Sequence, residues 1–381
     1  MNVTSLITEY NPFHNGHIYH INESREVSDA DIVIAVMSGN FTQRGEAAIT
    51  NKFIRAAHAV KHVDLVVELP LKNSISFADD FALGGVRIAE LLKSTHLVFG
   101  SESGDITALK QLYTDSRDNV SKAELSALIK QGYSHPRALS ELLEGDDISG
   151  SNNILGLSYI RAIEALGSRI TPLTIKRQSN RYNEPGLSAG TFSSATSIRN
   201  NITAGSLEAV KAFMPPELAD EIFKNKTVSN ADFFQTLKVI ITHKSPEALR
   251  EIYMMTEGLE NRLKSNIRGA DTYDDFMHRI KTKRYTWTRL NRLMACILLN
   301  ITYNDMAAHD VQNINAVRVL AMNSAGREYL KTLKDTDVQI ITNVNKENSR
   351  HISDEIMATD VYNIAQNSDQ NDFNTPVIID R

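Results

Sequence analysis

Short runs of valine, isoleucine and leucine recur along the first half of the chain, and longer amphipathic stretches separate them. Each run has the length of a strand, and each intervening stretch has the apolar spacing of a helix. The pattern predicts strands at residues 3–8, 31–37, 64–69 and 96–100, and helices at 16–27, 47–60 and 77–92. Because the strands are almost continuously apolar, we expect a parallel sheet that helices cover on both faces.

The pattern changes in the second half of the chain. A helix at 151–166, a strand at 169–176 and a loop running into a helix at 193–202 continue the alternation. From about residue 205 consecutive helices are predicted at 231–242, 246–255, 257–267, 273–280 and 286–300, before a last α/β-like piece at 317–344. We therefore predict an α/β domain at 1–205 and a mainly helical C-terminal domain at 206–381.

Composition fits a globular protein and excludes several other classes. The chain has 381 residues, of which 42% are hydrophobic and 23% charged, so it can form two domains with sizeable cores. Its longest apolar runs are far shorter than the ~20 residues of a membrane span, and no signal-peptide pattern opens the chain, so we expect a cytoplasmic protein. A net charge of -5 argues against a protein that coats nucleic acid with its whole surface. The single cysteine, Cys296, stands in an apolar stretch and is predicted to be buried.

Four polar segments follow the predicted strands, where ligands bind in parallel α/β sheets: ITEYNPFHNGH, MSGNFTQRGE, ELPLKNS and FGSESGD. In the first, His14 and His17 are three residues apart and would lie on one side of a helix's first turn. The amides of a helix N-terminus favour a phosphate, Gly16 allows close approach, and imidazoles can donate to its oxygens. A zinc site or an ordinary surface helix are the alternatives, and His20 is predicted to be structural.

Three further features support phosphate binding. SATSIR places Ser197 and Arg199 at a predicted helix start, and a guanidinium can bind two phosphate oxygens at once. Gly100 ends a strand at the ligand edge, and Asn152 and the Lys176–Arg177 pair supply polar groups. Each has an ordinary structural explanation as well, such as an N-cap with a solvated arginine or a simple turn. Arg44 could equally contact phosphate or RNA, or pair with Glu46.

A basic segment follows in the helical part. Residues 262–292 hold nine basic and three acidic residues, a net charge of +6 in an acidic chain. On a helix Lys281, Arg284 and Arg292 would share one face, suited to RNA phosphates. Trp287 would then belong to an opposite apolar stripe with Leu290 and Met294 and be buried, whereas Tyr285 could stack on a base or be buried. The predicted RNA contacts are Lys281, Lys283, Arg284, Arg289 and Arg292, and a solvated charged face is the alternative.

Together these motifs resemble a known family. HNGH and SATSIR resemble the HxGH and ISSTxxR signatures of the nucleotidyltransferase superfamily, relatives of the class I aminoacyl-tRNA synthetases. The blocks EYNPFHNGHIYH, MSGNFTQRGE, DLVVELP, FGSE, NNILG, ENRLKSNI and KTKRYTWTR are similar to those of bacterial tRNA(Met) cytidine acetate ligases. The resemblance implies a Rossmann-like nucleotidyltransferase domain that uses ATP, with Mg²⁺, to convert acetate into acetyl-adenylate. The acetyl group then passes to N4 of the wobble cytidine (C34) of elongator tRNA(Met).

The resemblance also implies roles for individual residues. His14 and His17 would stabilise the transition state, Gly100, Asn152 and Arg177 would contact ATP, and Ser197 and Arg199 would bind its phosphates, although SATSIR departs from the signature at Ala195. The main ATP-binding segment would consist of Ile7, Thr8, Glu9, Tyr10, Asn11, Pro12, Phe13, His14, Asn15, Gly16, His17, Ile18, Tyr19 and His20. No set of metal ligands is predicted. Two other functions stay open: an adenylyltransferase making a dinucleotide cofactor, and a tRNA-binding protein with an inactive nucleotide site.

Overall fold

The computed structural model of the protein describes residues 1–118, 120–130, 138, 141–142, 151–176, 190–256 and 258–380. In this part of the chain, eight strands form a sheet with the order β5-β4-β1-β2-β3-β6-β7, and β8 pairs with β6. The strands are β1 (Val3–Thr8), β2 (Ile32–Ser38), β3 (Leu65–Leu69), β4 (His96–Ser101), β5 (Thr171–Lys176), β6 (Ala316–Met322), β7 (Gln339–Ile341) and β8 (Ile378–Ile379). The five strands from β5 to β3 are mutually parallel, which confirms the predicted α/β class.

Helices cover both faces of the sheet. The helices of the first half are α1 (Asn15–Val27), α2 (Lys52–Ala59), α3 (Leu71–Ser74), α4 (Ala78–Leu91), α5 (Ile106–Asp118), α6 (Lys122–Lys130), α7 (Ser151–Ala165) and α8 (Ala195–Thr203). Alternate residues of each strand face opposite sides. Ile34 and Val36 of β2 therefore pack with Phe81 of α4, whereas Val33 of β2 packs with Phe53 of α2 on the other face.

The later helices are mostly short. They are α9 (Leu207–Lys211), α10 (Pro216–Lys224), α11 (Phe234–His243), α12 (Pro246–Arg250), α13 (Leu259–Ile267), α14 (Tyr273–Ile280), α15 (Trp287–Leu298), α16 (Tyr303–Ala307), α17 (Ser324–Thr332) and α18 (Ser353–Gln366). Side chains of α11, α13, α14, α15 and α18 form a separate core cluster, which Phe41 of the loop after β2 also joins. The helical layer is thus packed directly on the ligand edge of the sheet. Cys296 is buried in it, as predicted.

Segments far apart in the sequence complete the sheet. Strand β6 pairs antiparallel with β3, so residues beyond 205 extend the sheet formed by the first half. The domain boundary near residue 205 stays a prediction. Helix α18 and strand β8 were not predicted, and the inward face of α18 explains why, since it buries Glu355, Thr359 and Gln366 together with Ala358 and Tyr362. A face with so many polar residues lacks the apolar spacing that marks a helix in a sequence.

Buried charges join the two ends of the chain. The Lys52 ammonium on α2 lies 2.8 Å from the Glu68 carboxylate on β3 and 2.9 Å from the Asp372 carboxylate, and all three side chains are almost fully buried. Arg318 on β6 lies 3.5 Å from Asp372. Burying charges is costly unless they are paired, so removing any one of these groups should destabilise the fold.

A buried carboxyl group lies beside this network. Glu355 of α18 accepts a hydrogen bond of 2.7 Å from the Leu71 N–H of α3. Burial, with the nearby Glu68 charge, raises the pKa of Glu355 to about 7. The contact between α18 and the sheet edge therefore depends on pH near neutrality.

Candidate active site

The HNGH segment forms the turn between β1 and α1, and its two histidines cap the helix. His14 is the N-cap, and its Nδ1 accepts a hydrogen bond of 3.0 Å from the Gly16 N–H. In return, Nδ1 of His17 accepts a hydrogen bond of 3.2 Å from the His14 N–H. The two rings are stacked, with centroids 3.7 Å apart and planes inclined at 25°. The first turn of α1 is thus held by a reciprocal pair of imidazoles.

These hydrogen bonds determine the tautomers of the histidines. An Nδ1 that accepts a hydrogen bond carries no proton, so the neutral ring carries its proton on Nε2. Both imidazoles therefore carry a donor, Nε2–H, on the side of the ring remote from this backbone hydrogen bond. Two such donors beside a helix N-terminus favour an anion, and phosphate is the common one. A zinc-binding histidine pair is disfavoured because each Nδ1 accepts a backbone hydrogen bond and each Nε2 then carries the proton, so neither neutral ring offers a lone pair to a metal.

Gly16 makes room for the His14 ring. A Cβ atom at residue 16 would lie 2.9 Å from Cε1 of His14, closer than side chains pack. This spacing was not foreseen from the sequence, which suggested only that glycine lets a ligand approach. A side chain at this position would displace the capping imidazole, so Gly16 is needed for the geometry of the histidine pair itself.

The loops after β1 and β2 are joined beside this turn. The Gln43 N–H donates a hydrogen bond of 2.7 Å to Oε1 of Glu9. The fully buried Arg55 guanidinium donates to the carbonyl oxygens of Glu9 at 2.6 Å and Ser38 at 3.1 Å, and also to that of Gly39. Burial raises the pKa of the Glu9 carboxyl, because its charged form loses contact with water. The hydrogen bond from the Gln43 N–H and the charge of Arg44 act on this pKa in the opposite direction. Hydrogen bonds with backbone groups therefore fix Glu9 and its loop beside the histidine turn.

SATSIR lies next to the histidine turn, as predicted. Ser194 is the N-cap of α8 and accepts a hydrogen bond of 3.1 Å from the Ser197 N–H. Arg199 donates to the Asn11 carbonyl at 2.8 Å, and its other terminal nitrogen lies 3.3 Å from the Glu46 carboxylate. Glu46 therefore pairs with Arg199, a pair that the sequence did not suggest. The Ser197 side chain is buried, whereas Arg199 is one-fifth exposed and can reach a ligand.

Asn152 is held beside the loop that follows Gly100. Glu102 of this loop accepts hydrogen bonds of 2.8 Å from Nδ2 of Asn152 and from the Asn153 N–H, so it caps the start of α7. Sequence reasoning did not single out Glu102, although two asparagines at a predicted helix start are the signal that a capping partner is near. Arg177 lies outside the described residues. Gly100 and Asn152 thus approach each other, while Arg177 stays a prediction.

The side chains present do not form a metal site. Within the described ranges, no three His, Cys, Asp or Glu side chains lie close enough together to hold a metal ion. These residues therefore do not form a cage for Mg²⁺. Nor does any described helix combine the length and the apolar character that crossing a membrane requires.

The structure confirms the two helices predicted around residues 281–285 and corrects the basic face predicted across them. Helix α14 ends at Ile280 and α15 begins at Trp287, so Lys281, Lys283 and Arg284 lie in the connecting turn. The prediction that Lys281, Arg284 and Arg292 share a helix face is wrong, because Thr286 caps a new helix by accepting from the Arg289 N–H.

Arg292 does not lie on the surface. It is 7% exposed, donates a 2.6 Å hydrogen bond to the Gln43 carbonyl and lies 5.0 Å from the centre of the Phe77 ring. Burial lowers the pKa of Arg292 to about 10. This arginine therefore connects α15 to the loop beside Glu9.

The burial of the two aromatic residues in this region was predicted wrongly for Trp287 and left open for Tyr285. Trp287 was predicted to be buried, and this is wrong, since 43% of it is exposed. Leu290 and Met294 are buried as predicted. Tyr285 is 6% exposed, and its hydroxyl accepts a 3.1 Å hydrogen bond from Thr256, so of its two predicted roles the buried one is confirmed. The reason is position, because Trp287 begins α15 at the edge of the helical layer.

Comparison with known proteins identifies the relatives of the chain. The family model described as HIGH Nucleotidyl Transferase matches residues 1–375. Proteins of Staphylococcus aureus strains JH9 and USA300, each called tRNA(Met) cytidine acetate ligase, are 43% identical over 381 residues, which is 99% of this chain and 99% of theirs.

Solved structures agree with this result. The apo crystal structure of Thermotoga maritima TmcAL is 31% identical, covers 100% of this chain and 99% of its own, and superposes with a TM-score of 0.91. The structure of the same protein bound with alpha-thio ATP is 32% identical, has the same coverage and gives a TM-score of 0.88. The likeness therefore includes both halves of the chain.

Proposed function

The chain belongs to the HIGH nucleotidyl transferase family, and on this premise we propose that it is an ATP-dependent tRNA(Met) cytidine acetate ligase. It activates acetate as acetyl-adenylate and transfers the acetyl group to N4 of the wobble cytidine of elongator tRNA(Met). The observation that carries this proposal is the 43% identity, over 99% of both chains, to relatives with that name. The paired Nε2–H donors at the start of α1 are the geometric support.

The first step requires charge stabilisation more than proton transfer. Acetate has a pKa of roughly 4 to 5, like a glutamate side chain, so its carboxylate is already ionised at pH 7. One carboxylate oxygen forms a bond to the α-phosphorus of ATP, and the bond from that phosphorus to pyrophosphate breaks. His14, His17 and the N-terminus of α1 neutralise charge on the transferring group, and Arg199 holds the outer phosphates.

Arg199 can take this role by exchanging partners. Its guanidinium lies 3.3 Å from Glu46, a long separation for an ion pair, and both side chains are partly exposed. A phosphate offers two oxygens to a guanidinium and carries more charge than one carboxylate. We propose that Arg199 keeps its hydrogen bond to the Asn11 carbonyl and turns its second nitrogen from Glu46 to ATP.

In the second step, the acetyl group passes directly to RNA. The N4 amine of cytidine attacks the acetyl carbon, the bond from that carbon to the AMP oxygen breaks, and the amine loses a proton. An acyl-enzyme on cysteine is disfavoured, because Cys296 is fully buried and burial raises the pKa of its thiol to about 12. The lysines and arginines near the start of α15, namely Lys281, Lys283, Arg284 and Arg289, bind the RNA backbone in this proposal, whereas Arg292 only anchors the helix.

The test follows the two steps separately. Exchange of labelled pyrophosphate into ATP should require acetate, and labelled acetate should then enter tRNA(Met) at one cytidine. Exchange that requires nicotinamide mononucleotide instead of acetate would show a dinucleotide-forming adenylyltransferase. Binding of tRNA without any exchange would show an RNA-binding protein with an inactive site.

A further inference from the structure

Trp287 is the first residue of α15, directly after the turn from α14. Its ring is exposed, whereas the sequence predicted it to be buried. We propose that Trp287 is a stacking platform for an unpaired base of the tRNA anticodon loop. This inference rests on the proposed function and adds to it a residue that reads the RNA by contact with a base. In the following, the basic turn means residues 278–289.

The ring of Trp287 is held in place on one side and open on another. The His278 ring packs against it in an edge-to-face arrangement, with centroids 5.0 Å apart and planes at 75°. The Lys281 ammonium lies 5.6 Å from the centroid of the tryptophan ring. Even with these neighbours, 43% of the residue remains accessible. A tryptophan that is oriented by its neighbours and still exposed can accept a base without reorganising.

The basic turn that contains this ring also contains cations without carboxylate partners. In the part of the chain that the structure describes, Lys281, Lys283, Arg284 and Arg289 form no ion pair with a carboxylate, whereas the neighbouring Arg279 pairs with Asp275 at 2.8 Å. Lys283 and Arg284 are exposed. Unpaired cations around an exposed aromatic ring form the typical surface for single-stranded nucleic acid, because phosphates bind the cations while a base stacks on the ring.

The basic turn also lies close to the candidate active site. Arg292 of the same helix donates to the Gln43 carbonyl at 2.6 Å, and the Gln43 N–H donates to Glu9 at 2.7 Å. Trp287 precedes Arg292 by five residues, which is about 7.5 Å along the helix axis. A base stacked on Trp287 therefore belongs to a nucleotide near the reacting cytidine. Since sequence-specific proteins recognise RNA mainly in loops, and the wobble cytidine is in the anticodon loop, that loop is the ligand that fits.

The first experiment uses the emission of Trp287, the only tryptophan in the 381 residues. The full chain is titrated with an RNA stem-loop carrying the anticodon loop of tRNA(Met), and separately with a blunt RNA duplex of equal charge. We expect the stem-loop to quench the emission and the duplex to bind without quenching. Equal responses to both RNAs, or stem-loop binding with unchanged emission, would overturn the inference.

The second experiment uses substitutions. Stacking on one base contributes about 1–3 kcal/mol, so Trp287→Ala should raise the KM for tRNA(Met) roughly 5- to 150-fold. Acetate-dependent pyrophosphate exchange should not change, which also shows that the variant is folded. Trp287→Phe should restore most of the KM and Trp287→Leu should not. A matched control is Phe373→Ala, which removes an aromatic ring that is 55% exposed at the opposite end of the sequence.

The outcomes separate this inference from the proposed function. A wild-type chain that acetylates tRNA(Met), together with a Trp287→Ala variant of normal KM, would overturn the stacking platform alone. Equal rescue by Leu and Phe would also overturn it, because an apolar packing role would then suffice. A wild-type chain without acetate-dependent exchange would overturn the proposed function and the inference with it.

Discussion

The histidine turn and the basic turn, which we propose as the ATP and RNA sites, differ in how firmly their side chains are held. In the first, each imidazole has its Nδ1 bonded to backbone, and the rings are stacked at 3.7 Å. In the second, several cations lack carboxylate partners among the described residues, and Trp287 is 43% exposed. A reacting phosphate requires donors fixed before the substrate arrives, whereas an RNA loop can be bound by long side chains that settle on contact. This difference is what we expect if the histidine turn performs the chemistry and the basic turn binds RNA.

The largest expected effect is at the histidine turn. His17→Ala removes one Nε2–H donor and the acceptor for the His14 N–H, so acetate-dependent pyrophosphate exchange should fall about 10²- to 10³-fold. Binding of tRNA(Met) should change little. His20→Ala, one turn further along α1, is the matched control and should reduce exchange less than about ten-fold. If both variants lose exchange equally, the pair His14 and His17 has no special role.

The dependence of stability on pH sharpens the comparison, because Glu355 belongs to the packed part of the molecule and its pKa lies near neutrality. The pKa of Glu355 is raised from 4.5 to about 7, so the folded chain binds its proton more tightly than the unfolded chain does. This contribution to stability is complete below pH 4.5 and is lost as the pH rises through about 7. At ~1.4 kcal/mol per pKa unit, the loss approaches about 3 kcal/mol.

The measurement is urea unfolding of the wild type and of Glu355→Gln between pH 5 and pH 8. Glutamine keeps an acceptor for the Leu71 N–H and has no charge to bury, so the variant should lose less stability than the wild type as the pH rises. Parallel stability curves for the two chains would contradict the assigned pKa of Glu355. RNA binding by the basic turn should show no matching change for Glu355→Gln.

A smaller effect is expected from the spacing within the histidine turn. Gly16→Ala places a methyl group 2.9 Å from Cε1 of His14, so the ring must move. A displacement of about 1 Å in a catalytic group can reduce rate up to 100-fold, and exchange should fall within that limit. The control is Gly269→Ala, where the added atom approaches only the flexible end of Arg279, at 3.1 Å. Normal exchange in Gly16→Ala would show that the histidine turn tolerates movement.

The smallest expected effect is at the basic turn. Reversing two charges, with Lys283→Glu and Arg284→Glu, should raise the KM for tRNA(Met) about ten-fold at moderate salt and leave exchange intact. Each lost phosphate contact should also reduce the slope of log affinity against log salt by about 0.7 to 0.9. Arg279→Glu is a useful comparison, since Arg279 is already paired with Asp275. Equal effects of the two substitutions would show that unpaired cations have no privileged role.

Sequence reasoning predicted the sheet and the meeting of HNGH with SATSIR, because short apolar strands and helix starts are local patterns. It could not predict that Glu46 pairs with Arg199, since residues 153 positions apart meet only through the fold. It predicted the two helices on either side of residues 281–285, but it still assigned Lys281, Arg284 and Arg292 to one helix face and predicted Trp287 to be buried. It missed α18, whose buried face includes Glu355 and Thr359. The Glu46–Arg199 pair and the contact of Glu355 with Leu71 both join residues that lie far apart in the sequence, so local patterns do not predict them.

The buried link between Lys52, Glu68 and Asp372 has a consequence for how the protein is made. A ribosome produces Lys52 more than three hundred residues before Asp372, and until then a lysine that is fully buried in the finished molecule lacks one of its two carboxylate partners. Arg318 and strand β6, which close the open edge of β3, also arrive late. Until residue 372 has been synthesised, the nascent first half therefore has Lys52 paired with Glu68 alone and an unpaired edge on β3. We expect chaperones to bind, and proteases to cleave, this half of the chain before the rest.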